Sequence, residues 1–190
     1  MSALAATSAL SHRLARLDEV DALRGLMDAA ITQLQKPFLD GRQIASSRTI
    51  MGLDTQLIAD GTYFVIDTTD GPAAAGGWSA RRTLYGGDQM KGAADPRLDP
   101  ATEPARIRAF FVHPQWARRG LARRLYAACA RAAWEAGFRH FELMATRPGE
   151  PFYEALGFAV VERVVVPLPG DVAVPFARMR RAIEPPDRAE

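Results

Sequence analysis

The stretch RIRAFFVHPQWARRGLARR, residues 106–124, decides the interpretation of the whole chain. Its first part, residues 106–112, is rich in aromatic and β-branched side chains, which predicts a strand. Pro114 ends that strand, because proline lacks the amide that a ladder requires. Helical spacing of apolar residues then runs from Gly120 until Gly137 stops it. The stretch therefore predicts a strand, a glycine turn and the start of a helix.

This turn has the features of an anion site. The first amides of a helix have no partner within the helix, and the helix dipole is positive there, so the turn favours a pyrophosphate. Gly120 lets phosphate oxygens approach the backbone closely. Four arginines surround the turn, where guanidinium groups are suited to further phosphates: Arg118, Arg119, Arg123 and Arg124. Alternatively, these arginines form a solvated helix face and Gly120 is an ordinary turn residue.

The remaining segments predict an α/β protein. We expect helices after residue 18, with Asp18 as N-cap, and over residues 44–51 and 150–156. Strands are predicted at 11–17, 62–67, 73–80, 138–145, 158–166 and 172–179. The segment 81–104 has the composition and length of a functional or disordered loop. Alternation of strands and helices in the middle, with hairpins at the ends, predicts a mixed sheet covered by helices on both faces.

Length and composition are those of one globular domain. The chain has 190 residues, of which 48% are hydrophobic and 24% charged, enough to bury a continuous core. We predict one domain over residues 1–183 and a frayed tail over 184–190.

Charge and cysteine content argue against several kinds of partner and site. A net charge of +2 is too small to indicate a nucleic-acid partner. The sequence shows no signal peptide and no apolar run of membrane-spanning length, so we expect no membrane partner and a cytoplasmic location. Cys129 is the single cysteine, which excludes an intrachain disulfide and paired-thiolate metal sites. We expect this thiol to be buried and no metal to be bound.

Two ordered motifs resemble the GNAT superfamily of N-acetyltransferases. The window Ala117–Ala122 is similar to Gln/Arg-x-x-Gly-x-Gly/Ala, with Ala117 departing at the first position. The later stretch EPFYEALGF, residues 150–158, is similar to F-Y-x-x-x-G-F. The helix and strand between them also match the family's spacing. The resemblance implies a single-domain GNAT fold, with a mixed, mostly antiparallel twisted sheet of about seven strands and helices on both faces.

The same resemblance implies that acetyl-CoA is the co-substrate. Backbone amides of residues 117–122 would hold its pyrophosphate, and the strand near Phe111 and Val112 would pair with pantetheine. Thr146 stands where the family often has an asparagine that contacts pantetheine or the acyl group. The expected cofactor-binding residues are Phe111, Val112, Ala117, Arg118, Arg119, Gly120, Leu121, Ala122, Arg123 and Thr146.

Tyr153, in the second motif, is the expected catalytic acid. A phenol with an ordinary pKa of about 10 holds its proton at neutral pH and can give it to a leaving thiolate. Alternatively, Tyr153 packs against Phe152 without a chemical role. A backbone amide near Phe111 or Val112 would stabilise the oxyanion.

A general base is harder to assign. Many family members carry a glutamate on the strand before the phosphate turn, but residues 106–112 include no acidic side chain. The remaining candidates are Glu142, Glu103 and Asp88, each of which can equally be a surface carboxylate, and a water chain is a further alternative.

The acceptor is predicted only as an amine, either a small molecule or a peptide amine. Trp78, Tyr85 and Asp88 would form an aromatic wall with one carboxylate, suited to a cationic amine, although Trp78 is better explained as core. His113 is interpreted as a turn residue.

The sequence leaves a second function and an assembly open, and it disfavours a third function. A non-catalytic acyl-CoA sensor is the alternative to the enzyme. A nucleotide-binding module is disfavoured because no G-x-G-x-x-G or Walker pattern is present. The C-terminal hairpin could serve as a homodimer edge.

Overall fold

The computed structural model describes residues 10–92 and 94–186. The strands of this part of the chain are β1 (His12–Leu14), β2 (Tyr63–Thr68), β3 (Gly71–Ser79), β4 (Ala105–Val112), β5 (His140–Thr146), β6 (Ala159–Leu168) and β7 (Val172–Ala182). Its α-helices are α1 (Val20–Leu34), α2 (Gly41–Ser47), α3 (Thr55–Ala59), α4 (Leu121–Glu135) and α5 (Glu150–Glu154). Short 3₁₀ turns lie at Leu17–Glu19, Asp88–Met90 and Pro114–Trp116. None of the described helices combines the length and the apolar composition needed to cross a membrane.

The strands form a single sheet in the order β1-β2-β3-β4-β5-β7-β6. Every neighbouring pair is antiparallel except β4 and β5, which run parallel. The predicted mixed, mostly antiparallel sheet of about seven strands is therefore confirmed.

Helices cover both faces of this sheet. On one face α1 packs against Val65 and Ala75, and on the other α4 packs against Ile66 and Ala74. These neighbouring residues belong to different cores because successive side chains of a strand point to opposite faces. The predicted two-sided packing is confirmed.

Strands β4 and β5 separate soon after they meet. Their ladder includes only Ala105 with Phe141 and Arg106 with Glu142, although both strands continue well beyond these pairs. On its other edge β4 has an irregular register with β3, at Ala109, whose φ of +52° is in the left-handed region. A bulge of this kind bends a strand and increases its local twist. The result is a gap in the middle of the sheet.

A charged cluster lies at the closed end of the gap. Glu142 Oε1 accepts a hydrogen bond from Arg106 Nη1 at 2.7 Å, and its Oε2 accepts one from Arg180 Nη2 at 2.8 Å. The three residues are cross-strand neighbours on β4, β5 and β7, and only 5% of the Glu142 side chain is exposed. The cluster therefore ties three strands together where the gap begins.

Several predicted element boundaries were wrong near the N-terminus. Asp18 does not cap α1, because its carboxylate pairs with Arg16 and a 3₁₀ turn precedes the helix. Helix α2 begins three residues before the predicted Ile44, since Asp40 caps it by accepting from the Gln43 amide at 2.8 Å. The sequence reading also missed α3, which Asp54 caps through the Gln56 amide.

The described part of the chain ends in a packed residue followed by a short irregular segment. Ile183, the last residue of the predicted domain, is buried, and its amide donates to the Arg139 carbonyl at 2.8 Å. Residues 184–186 follow without regular structure, and residues 187–190 of the predicted tail lie outside the described residues, as do residues 1–9.

The Glu142 cluster predicts a large stability effect. Glu142→Gln leaves the partly buried Arg106 without its ion pair, and we expect the free energy of unfolding to fall by about 2–3 kcal/mol. Glu162→Gln is the matched control, because Glu162 also pairs with an arginine, Arg178, but its side chain is 54% exposed; it should cost less than about 0.5 kcal/mol. Urea denaturation measures both variants, and equal losses would contradict a structural role specific to Glu142.

Candidate active site

A cavity of about 270 Å³ occupies the gap between β4 and β5. It extends from α1 on one face of the sheet to the start of α4 on the other. Its lining comes from α1, the segments 50–52 and 84–86, β4, β5, α5 and β7. Of the residues predicted for the site, Phe111, Val112, Ala122, Thr146 and Tyr153 line it.

The glycine turn lies at the N-terminus of α4. Arg118 and Gly120 have φ values of +63° and +81°, and a Cβ built on Gly120 would meet no atom within 4 Å. The space beside this backbone is therefore open. The amides of residues 118–123 form no hydrogen bond within the described chain, whereas the Ala117 amide donates to the Pro114 carbonyl at 3.2 Å. Ala117 thus drops out of the predicted set of free amides.

The side chains around this turn are directed outward. Arg118, Arg119 and Arg123 are exposed, and the Arg119 guanidinium lies 4.8 Å from the centre of the Trp116 ring. Neither Arg118 nor Arg123 forms an ion pair with another described residue. His113 caps the preceding 3₁₀ turn by accepting from the Gln115 amide at 3.3 Å, which confirms its prediction as a turn residue.

The free edge of β4 presents backbone groups to the gap. The His113 amide bonds to the Ala73 carbonyl of β3 at 2.8 Å. Because alternate residues of a strand direct their backbone groups to opposite edges, Val112 directs its N–H and C=O groups into the gap. By the same rule Phe111 directs its backbone toward β3 and contributes its side chain to the cavity, so the prediction that its backbone pairs with a ligand was wrong.

Tyr153 lies in the wall of the cavity on the α4 side. Its ring packs against Phe152 and Phe158, with centroids 5.0 and 5.6 Å away, and against Phe110 at 6.5 Å. Burial raises the pKa of the Tyr153 hydroxyl well above its ordinary value. The hydroxyl has no hydrogen-bond partner in the described chain and is not fully enclosed. It is therefore a protonated donor on the cavity surface.

The three candidate bases lie elsewhere. Glu142 belongs to the arginine cluster, Asp88 Oδ1 accepts from the amide and hydroxyl of Thr55 at 3.0 Å, and Glu103 accepts from the Asp99 amide at 2.8 Å. None of them lines the cavity, and the residues that do line it include no carboxylate.

Of the three residues predicted to form an aromatic wall with a carboxylate, only Tyr85 lines the cavity. It stacks on Phe176, with centroids 6.4 Å apart and rings 18° from parallel. Trp78 is core, as the alternative interpretation held, and packs edge-on against Phe138. Asp88 does not reach the cavity. Cys129 is fully buried as expected, and burial raises the pKa of its thiol.

Sequence reasoning missed Gln35, Arg108 and Phe176 in this cavity. Arg108 is buried, and its Nη2 lies 3.0 Å from Asp54 Oδ2 and donates to the Gly86 carbonyl at 2.6 Å. No motif marks these residues, because they come together only through contacts between distant segments.

Comparison with known proteins finds one family model and several solved structures that are similar to this chain. Residues 83–167 match the family model described as "Acetyltransferase (GNAT) domain". A GCN5-related N-acetyltransferase from Rhodopseudomonas palustris superposes with a TM-score of 0.66 at 15% identity, covering 91% of this chain and 95% of that one. No curated protein sequence matches the chain significantly.

Two similar structures hold the same kind of ligand. The PaiA N-acetyltransferase from Thermoplasma acidophilum, in complex with coenzyme A, has a TM-score of 0.61 at 9% identity, with 92% and 99% of the two chains covered. YncA from Salmonella typhimurium, with its cofactor acetyl-CoA, has a TM-score of 0.59 at 14% identity and covers 95% and 98%. The resemblance to the GNAT superfamily is thus confirmed: the chain has the GNAT fold, and its segment 83–167 matches the GNAT acetyltransferase domain.

The buried phenol allows a direct measurement. Since the pKa of Tyr153 is raised above that of an ordinary tyrosine, its hydroxyl should stay protonated through pH 10.5. We expect Tyr153→Phe to leave the tyrosinate absorbance near 295 nm at pH 10.5 unchanged. A lower absorbance in the variant, with folding intact by circular dichroism, would mean that the hydroxyl ionises normally and contradict its burial.

Proposed function

We propose that this chain is an acetyl-CoA-dependent N-acetyltransferase, formed by one domain over residues 1–183, that acetylates a primary amine. The observation that carries the proposal is the gap between β4 and β5, which combines a free strand edge, a helix N-terminus with unused amides and a protonated tyrosine. Coenzyme A is a long, flexible ligand with a pyrophosphate at one end and a thiol at the other, and each of these features corresponds to one part of it.

The residues present fit this ligand. The free amides of residues 118–122 and the positive end of the α4 dipole suit the pyrophosphate, and the open space beside Gly120 gives it room. Arg118, Arg119 and Arg123 are exposed around the turn, where they can contact further phosphate oxygens.

The strand edges suit the pantetheine arm. Its amides can pair with the backbone of Val112 in the manner of an added strand. Thr146, which lines the cavity at the end of β5, can supply a hydroxyl contact.

The chemistry uses two groups of the chain, the Val112 amide and the Tyr153 hydroxyl. Acetyl-CoA supplies the activated thioester, whose C–S bond breaks as the C–N bond to the amine forms. The Val112 amide faces the gap and can donate to the negative charge that develops on the carbonyl oxygen. Tyr153 donates its proton to the sulfur and regains one from solvent. Because the raised pKa keeps the phenol neutral, the hydroxyl is a donor at every physiological pH.

Deprotonation of the amine is assigned to water. No carboxylate is present among the residues that line the cavity, and the three carboxylates considered above are engaged in structural hydrogen bonds. The same observation favours the alternative function, a non-catalytic acyl-CoA sensor, which would need the ligand site and no base. Tyr153 favours the enzyme, since a sensor has no use for a free phenol at the thiol end.

We also propose that a homodimer forms through the C-terminal hairpin. Strand β6 is the outer strand of the sheet, and Val161 and Val165 are 49% and 64% exposed on it. An edge of this kind can pair with a second copy.

Removing the Tyr153 hydroxyl should impair turnover without impairing binding. We expect Tyr153→Phe to lower kcat by about 10² while the affinity for acetyl-CoA stays within about threefold, since the lost group acts on the leaving sulfur. Tyr126→Phe is the matched control, because Tyr126 is also a buried phenol in the same core but does not line the cavity. Thiol release against a panel of amines provides the assay. Unchanged kcat in Tyr153→Phe would remove Tyr153 from the chemistry.

Binding of the pyrophosphate can be tested with two glycines. Gly120 and Gly170 have nearly the same φ, +81° and +80°, and a Cβ on either meets nothing within 4 Å. Substitution of each by alanine should therefore cost a similar 1–2 kcal/mol or so of stability. We expect only Gly120→Ala to weaken coenzyme A binding, by about tenfold or more, in isothermal titration calorimetry.

The two functions separate in these assays. Equal coenzyme A affinity in both glycine variants would mean that the pyrophosphate does not bind at the Gly120 turn, whereas absence of coenzyme A binding in the wild type would contradict both functions. Tight binding of acetyl-CoA with no turnover on any amine would favour the sensor over the enzyme.

A further inference from the structure

One loop segment contributes a wall to the α1 side of the cavity. Residues 83–91, which we call the strap, lie between β3 and β4 in the chain, and residues 84–86 of the strap line the cavity. Tyr85 stacks on Phe176, which packs with α1, so this wall lies on the face of the sheet opposite to α4 and Tyr153. In the proposed function coenzyme A enters from the turn before α4, and the amine approaches on the strap side. The following inference rests on that function.

Arg108 holds the part of the strap that lines the cavity. Its side chain is on β4 and is only 2% exposed. Its Nη1 donates to the Thr83 carbonyl at 2.8 Å, and its Nη2 donates to the Gly86 carbonyl at 2.6 Å. The guanidinium therefore binds the strap on both sides of Leu84 and Tyr85. Since its donors form a rigid planar fork, it can fix two acceptors at once.

The hydrogen bonding of this wall is concentrated on Arg108. Residues 84–86 form no hydrogen bond with the described chain apart from the one that the Gly86 carbonyl accepts from Arg108. The later part of the strap is held separately, because the Asp88 amide donates to the Leu53 carbonyl at 2.9 Å. The position of the wall thus depends on Arg108, whereas the rest of the strap has contacts of its own.

A buried carboxylate fixes Arg108 itself. Asp54 Oδ2 lies 3.0 Å from Arg108 Nη2, and the Asp54 side chain is also 2% exposed. The other oxygen of Asp54 accepts from the Gln56 amide at 3.0 Å and pairs with Lys91 at the end of the strap. Burial of a guanidinium is unfavourable without such a partner. The ion pair therefore keeps Arg108 in the orientation that reaches both carbonyls.

The ring of Tyr85 reaches across the gap in the sheet. Its stacking partner Phe176 lies on β7, beyond β5, with the ring centroids 6.4 Å apart and the planes 18° from parallel. Arg108 lies on β4, at the other side of the gap. A group on one side thus places a ring that packs on the other side. Displacement of residues 83–86 would separate the two rings and widen the cavity where the amine enters.

From these observations we propose that Arg108 is a positioning residue for the acceptor. Its guanidinium holds the strap so that Tyr85, packed on Phe176, forms the surface against which the amine binds. Arg108 acts through Tyr85 and contacts neither the thioester nor the amine. Its loss should therefore weaken acceptor binding and leave coenzyme A binding and proton donation by Tyr153 intact.

The test compares the kinetic constants of Arg108→Lys with those of the wild type. The lysine keeps a positive charge beside Asp54, but one ammonium cannot reproduce the planar fork that joins two carbonyls. Thiol release is measured with 2-phenylethylamine, spermidine and glycinamide, and the constants are taken for the probe amine that the wild type turns over fastest. We expect KM for that amine to rise about tenfold, with kcat and KM for acetyl-CoA within about threefold of the wild type.

A double-mutant cycle separates this role from general structural support. Tyr85→Ala should raise KM for the amine by a similar factor. In the Tyr85→Ala background, Arg108→Lys should add less than about twofold, because both changes remove the same wall. Two factors that multiply would mean that Arg108 does not act through Tyr85, which would overturn the proposal.

A second variant covers the case in which Arg108→Lys does not fold. Gly86 has a φ of +100°, and a Cβ on it would lie 2.9 Å from Met90 Sδ and 3.1 Å from Met90 Cβ. Gly86→Ala therefore displaces the strap carbonyl that Arg108 binds, without changing the ion pair with Asp54. It should show the same selective rise in KM for the amine.

Arg81→Lys is the matched control. Arg81 also joins a carboxylate to a backbone carbonyl, since its Nε donates to Asp60 Oδ2 at 2.6 Å and its Nη1 donates to the Asp95 carbonyl at 3.1 Å. It does not line the cavity. KM for the amine should therefore stay at the wild-type value in this variant, and a rise equal to that of Arg108→Lys would make the effect one of general loop stability.

Failure of this assignment is distinct from failure of the enzyme. An unchanged KM for the amine in Arg108→Lys and Gly86→Ala, or an equal rise in KM for acetyl-CoA, overturns the role of Arg108 even where acetyl transfer is observed. Absence of turnover with all three probe amines in the wild type, measured first, counts against the proposed enzyme and overturns with it the role that rests on it.

Discussion

The separation of β4 from β5 beyond the Arg106–Glu142 pair is the constraint on which the site depends. Two parallel strands that stayed paired to their ends would use the backbone groups that now face the gap. Leaving them unpaired is costly, because buried amides and carbonyls require partners. The bulge at Ala109 bends β4 away, and the hydrogen bond from the Tyr63 hydroxyl to the Ala109 carbonyl, at 2.8 Å, holds that bend.

The arginine cluster and the glycine turn act at the two ends of this gap. At the closed end, Glu142 joins three strands through side-chain contacts. These contacts replace the backbone hydrogen bonds that continued pairing of β4 and β5 would have formed. At the open end, β4 leads directly into the turn at Gly120, so the free strand edge and the free helix amides follow one another along the chain. One local departure from regular pairing thus produces both a groove and, at its mouth, the candidate anion site.

Features that depend on residues close together in the chain could be predicted from the sequence. The candidate phosphate turn depends on a glycine with positive φ next to a helix start, which is a local property, so the glycine turn and the helix start could be predicted from the sequence. Tyr153 was found in the same way, from a motif in continuous sequence. Its raised pKa, by contrast, comes from packing with Phe110 and Phe158 and could not be inferred from spacing.

Residues that are distant in the chain and meet only in the tertiary fold could not be predicted from the sequence. Arg108 and Asp54 are 54 positions apart in the chain, and Gln35 reaches the cavity only because α1 packs across β3 and β4. The general base could not be predicted for a related reason. Glu142 and Asp88 were considered because of their place in the chain, whereas the structure shows each carboxylate occupied by hydrogen-bond donors.

The apolar character of the site has two consequences that support one another in the proposed reaction. Burial disfavours charge, so it keeps Tyr153 protonated and would hold an incoming amine in its neutral form. A carboxylate placed among the same walls would experience the same penalty, and its pKa would rise unless a cation paired with it. The nearby cation, Arg108, is already bound to Asp54. A dedicated base would therefore require a second polar arrangement among these apolar walls, and the lining residues include none.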